Sequence, residues 1–198
     1  MLRRKSINEY LLKKINDKRE LVRILKEIGT IHYLLSEFRE AIEYYEQALK
    51  VSREIGGRSG EGSGLRILGL AYARLGETRK AIEYYEQALK ISREIGDRSG
   101  EDTALGNLGN AYARLGETRK AIEYYEQALK ISREIGDRMG EGNALWNMSL
   151  ALNEIGNRTQ AIERAKSALT ILESIESPHA EKVKRKLQEW EEASSQIQ

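Results

Sequence analysis

Apolar positions recur along this chain at a helical period. Between Asp102 and Glu141, Leu105, Leu108, Gly109 and Tyr112 fall at i, i+3, i+4 and i+7, the spacing that puts side chains on one face of an α-helix. This helix, A, should end near Leu115, because Gly116 can take the left-handed conformation that closes a helix. A second helix, B, then carries Ala121, Ile122, Tyr125, Ala128 and Leu129 on its buried side and ends at Gly136, where Asp137 can cap the next helix. On its outer face Glu126, Lys130 and Glu134 stand four apart with alternating sign, each pair worth a few tenths of a kcal/mol. No segment reads as a strand.

The same pattern returns every forty residues. Ala71 to Arg98 is identical to Ala111 to Arg138, and "AIEYYEQALKVSREIG" begins a third copy at Ala41. A catalytic site needs different groups at different places. Verbatim repetition instead describes a unit that stacks on copies of itself.

Composition narrows the function classes. A net charge of +2 is too small to name nucleic acid as the partner. The chain has no cysteine, which removes disulfides, thiolate metal sites and cysteine nucleophiles and fits a cytoplasmic protein. No apolar run approaches the roughly 18 residues of a membrane span, and "MLRRKSINEYLLKK" lacks a secretion signal's apolar segment, so no membrane partner is expected. The single proline, Pro178, follows Ser177, a pairing that suits an N-cap and first helical residue. Val183, Leu187 and Trp190 then form a stripe able to close the stack on the last helix B.

The residues Leu68, Gly69, Tyr72, Ala81 and Tyr85, and again Leu108, Gly109, Tyr112, Ala121 and Tyr125, match the tetratricopeptide pattern L-G-x2-Y followed by A-x3-aromatic. The resemblance covers about 21 to 177 as four repeats. Leu25, Ile28, Gly29, Ala41 and Tyr45 mark the first, with His32 in place of the tyrosine. Leu145, Met148, Ala161, Ala165 and Ala168 mark a degenerate fourth, with Leu152. The forty-residue length resembles the long-repeat subgroup of kinesin light chains and Leu-Gly-Asn adaptors. It implies an all-α fold: a right-handed solenoid of antiparallel helix pairs with a C-terminal capping helix. The expected divisions are an N-terminal helix over 1–20, repeats over about 21–57, 58–97, 98–137 and 138–177, and the cap and tail over 178–198. The stretch "EGNALWNMSLALNEIGNRTQAIERAKSALTILESIESPHAEKVKRKLQEW" is also similar to the terminal repeat and cap of the tetratricopeptide sensors of bacterial signal-transducing ATPases of the STAND class.

Little in the sequence suggests catalysis. "GEGSG" at 60–64 follows a helix, becomes "GEDTA" and "GEGNA" in later copies, and is a joint rather than a phosphate loop; no G-x-x-x-x-G-K-[ST] occurs. His32 and His179 are too far apart to make a metal site, and neither metal nor cofactor is expected. The resemblance implies that the A helices line a concave groove, where the copies disagree. The groove residues singled out are Arg66, Arg74, Asn107, Asn110, Arg114, Asn143, Trp146 and Asn147. Asparagine offers a donor and an acceptor to a peptide backbone, and arginine can clamp a carboxylate. The expectation is a non-catalytic scaffold for an acidic, partly apolar protein segment. The alternatives are a sensor fragment of a STAND-type ATPase, or a self-associating or engineered array.

Overall fold

The computed structural model describes residue 15 and residues 17–195. Among them are nine helices and no strand: α1 (Lys18–Leu34), α2 (Phe38–Glu54), α3 (Arg58–Leu75), α4 (Thr78–Ile95), α5 (Arg98–Arg114), α6 (Thr118–Ile135), α7 (Arg138–Glu154), α8 (Arg158–Ser174) and α9 (Ala180–Ser195). Apart from the cap they alternate as A and B. The N-terminal helix expected over 1–20 lies outside the described residues except at its end, where Asp17 caps α1 through the Arg19 N–H at 2.8 Å.

The corners follow from glycine and aspartate. Gly116 (φ 76°) and Gly136 (φ 72°) are left-handed and stop α5 and α6 where the sequence reading put the ends. The Asp97 and Asp137 carboxylates accept from the N–H of Gly100 and Gly140, each at 2.9 Å, and so cap α5 and α7. The first and last corners do without glycine: Ser36 (φ 62°) and Glu176 (φ 52°) take the left-handed conformation, at about 1 kcal/mol each.

The chain divides into two compact units, one ending at Ile95 and the other starting at Gly96. In the first, α1 to α4 pack as two A/B pairs around Ala41, Ile42, Tyr45, Leu49, Leu65, Leu68 and Ala71. Helix A comes so close to helix B that a Cβ on Gly29 would stand 2.5 Å from Cε1 of Tyr45, and the Tyr85 ring covers Gly69 in the same way. The joint between pairs is fixed by charge. The Glu61 carboxylate, nearly buried, is held by Arg53 at 2.8 Å and Arg58 at 2.7 Å, and Arg58 also reaches Glu94.

The second unit repeats this with α5 to α8 and adds α9. Tyr125 covers Gly109, and Glu141 is held by Arg133 at 2.8 Å and Arg138 at 2.5 Å. In the last pair Ser149 stands where the glycine was and Ala165 where the tyrosine was. With the ring gone, a larger residue fits on helix A, and Ser149 is fully buried. Val183, Leu187 and Trp190 of α9 are all buried, as the stripe predicts, and Lys166 of α8 pairs with Glu191 at 2.7 Å. Pro178 is not the first helical residue. Ser177, Pro178 and His179 form a turn in which Ser177 Oγ accepts from the His179 N–H, and the helix starts two residues later, at Ala180.

Candidate functional site

On the helix-A face of the first unit, α1 and α3 bring Lys26, Ser63 and Arg66 together. The Lys26 ammonium donates to Ser63 Oγ at 2.7 Å. Burial, then the charge of Arg66, holds Lys26 below the usual lysine range. One turn on, Thr30 Oγ1 accepts from the Tyr45 hydroxyl at 3.2 Å. Arg74, at the end of α3, is exposed, and its guanidinium lies 5.6 Å from the centre of the Phe38 ring. The stacking steers the arginine without neutralising it.

The same face of the second unit is built of amides. Asn110 Oδ1 accepts from the Tyr125 hydroxyl at 2.8 Å and from Asn147 Nδ2 at 3.2 Å, so α5, α6 and α7 meet at one oxygen. The Tyr125 hydroxyl is pushed above the usual phenol range by burial and stays a donor. Asn107 is half-buried, and its Nδ2 is a buried donor with no partner. Beside it, Gly106 faces open space. Asn143 and Arg114 are exposed at the two ends of this row.

Trp146 is placed differently from the other seven expected residues. It is 7% exposed and stacked on Trp190, with ring centres 6.1 Å apart. The reason is the cap: α9 brings an indole against α7 that no other helix A meets. Trp146 is thus a packing group. The converse omission is Tyr125, read from the sequence as core alone, whose hydroxyl reaches the face through Asn110. The signal was the choice of tyrosine over phenylalanine at a buried position. Tyrosine there calls for a polar partner.

Other surfaces offer less. An open cleft of about 650 Å³ between α2 and α4 is lined by Glu46, Lys50, Arg53, Tyr72, Lys80 and Tyr84, with charges of both signs. Among the described residues no group of three or more His, Cys, Asp or Glu side chains could hold a metal ion, and no helix is long and apolar enough to cross a membrane.

A family model described as tetratricopeptide repeat matches residues 20–94 and 100–174. The chain belongs to the tetratricopeptide repeat family. No curated protein matches it. Solved tetratricopeptide folds that resemble it include the apo form of RapI, at a TM-score of 0.80 and 20% identity over 86% of this chain and 62% of that one. A Signal Transduction ATPase with Numerous Domains (STAND) protein with a tetratricopeptide repeat sensor, PH0952 from Pyrococcus horikoshii, gives 0.79 and 27% identity over 88% of this chain and 27% of that one. A Podospora anserina putative kinesin light chain with nearly identical repeats gives 0.75 and 19% over 92% and 90%. The chain therefore spans under two thirds of the first two of these tetratricopeptide proteins.

Proposed function

We propose that the chain is a non-catalytic scaffold that binds an extended, acidic segment of a partner protein on its helix-A faces. The bridged amides of Asn110 and Asn147 carry this reading. An asparagine offers a peptide backbone a donor and an acceptor, and Gly106 leaves open space for that backbone to approach. Asn110 and Asn147, already fixed by one another and by Tyr125, form a rigid row beside it, so little side-chain freedom is lost on binding. The exposed cations Arg74, at the end of α3 in the first unit, and Arg114, at the end of α5 in the second, each favour carboxylates in a segment bound on that unit's helix-A face.

Peptides selected from a random display library on the intact chain provide the test. Against Asn147→Ala they should bind about tenfold or more weakly, as loss of a well-placed hydrogen bond implies, and acidic peptides should weaken further against the double variant Arg74→Ala with Arg114→Ala. Peptides that hold both variants as tightly as the parent place the binding site elsewhere.

The likeness to the Pyrococcus horikoshii protein supports a second reading, in which the array serves as the sensor of a signalling ATPase. Both readings use the same face. They differ in whether a bound ligand alters a neighbouring ATPase domain.

A further inference from the structure

Two cations of the first unit are left without an acidic partner among its described residues. Lys26 and Arg66 hold equivalent positions in consecutive A helices, forty residues apart, and both are half-buried. The acids around them are already engaged. Glu20 and Glu27 both pair with Arg23, each at 2.6 Å, and Glu61 is held by Arg53 and Arg58. Among the described residues neither Lys26 nor Arg66 has an ion pair with an acid. Among these residues the one partner of the Lys26 ammonium is the neutral hydroxyl of Ser63, which itself donates to the Gly60 carbonyl at 3.1 Å.

We propose that Lys26, Ser63 and Arg66 form a seat for a phosphomonoester group, carried by a phosphorylated side chain of a bound partner. The assignment to a partner's side chain rests on the peptide-binding reading above; the anion seat rests on these three residues alone. Charge and geometry select the phosphomonoester. Two adjacent cations call for close to two negative charges, and a phosphomonoester carries about −1.5 to −2 at neutral pH, whereas one carboxylate leaves a cation uncompensated. Its three terminal oxygens match an ammonium with three N–H groups and a guanidinium that offers a planar fork. The burial and repulsion that depress the Lys26 pKa are costs the empty fold carries and an anion would offset. The later repeats lack the seat, since Gly106 and Trp146 stand at the equivalent positions.

The test is thermal unfolding and calorimetry of the full chain with free O-phosphoserine at constant ionic strength. Phosphoserine should raise the melting temperature of the parent, and Arg66→Gln and Lys26→Gln should each weaken its binding about tenfold or more, as loss of one charge-assisted bond implies. Arg66→Lys, which keeps the charge and loses the fork, should retain part of the response. Removing one of two like charges should leave the unliganded Arg66→Gln chain melting no lower than the parent. If it melts lower and phosphoserine still binds, Arg66 is a packing group and the proposal is overturned. An equal response to succinate overturns the phosphomonoester, and an equal response to inorganic phosphate overturns the phosphorylated side chain as its source. If the selected peptides ignore the helix-A face while phosphoserine binds as described, the peptide reading fails and the anion seat stands.

Discussion

At the scale of single residues, Gly109 and Gly106 make opposite demands within one helix. A Cβ at 109 would strike the Tyr125 ring, whereas at 106 it would meet nothing within 4 Å. Gly109→Ala should therefore cost about 1–3 kcal/mol by overpacking, although alanine is the better helix former, and Gly106→Ala should gain up to about 1 kcal/mol. Urea unfolding of the two variants checks the contrast. Equal effects would show that the ring can move aside. Asp102 is a different kind of exception. It is 8% exposed and accepts from Ser132 Oγ at 2.9 Å, and burial, with Asp137 adding to it, pushes its carboxyl above the usual range. A raised folded pKa makes the ionised form a penalty that is fully present at neutral pH and relieved as pH falls through that pKa. Asp102→Asn should thus raise the melting temperature at pH 7, with the gain closing toward about pH 4; a gain unchanged across this window would mean the charge is not its cause. The glycine and tyrosine were legible in the sequence because each lies at a fixed offset inside its own repeat. The bonds of Asn110 to Asn147 and of Lys26 to Ser63 were not, because they join different repeats whose residues differ at those positions.

At the scale of helices, α9 decides whether the second unit is closed. Trp190 is 3% exposed, stacks on Trp146 and has the Arg158 guanidinium 5.6 Å from its ring centre. Trp190→Ala should cost about 3–5 kcal/mol, and deletion of 178–198 should in addition uncover Val183's and Leu187's contact surface on α8 and promote aggregation. Thermal melts and light scattering of both variants are the measurements, and a deletion that stays monomeric with the parent's melting curve would reduce α9 to a tail. The stripe on α9 could be read in advance from its spacing alone. What it covered could not: Trp146 was assigned to the ligand face by analogy with the other A helices, none of which has an indole set against it. The joints show the reverse case. The joints recur from copy to copy, but that one carboxylate takes two guanidiniums, as Glu141 does from Arg133 and Arg138, depends on both arginines converging from opposite sides of a corner.

At the scale of the whole molecule, α4 and α6 have the same eighteen residues, and so identical surfaces to offer a partner. No side chain on either can tell α3 which of the two to pack against. Chain connectivity makes that choice. The native pairing of α3 with α4 closes a link of two residues, 76–77, whereas pairing with α6 would close one of forty-two, 76–117. The difference in loop entropy is on the order of 3 kcal/mol. A refolding chain thus sorts its helices mainly by distance along the backbone. The mispaired state would leave a loop of one repeat's length hanging from the core, and the buried side chains of that repeat, Tyr85 and Leu105 among them, would lose their packing as well.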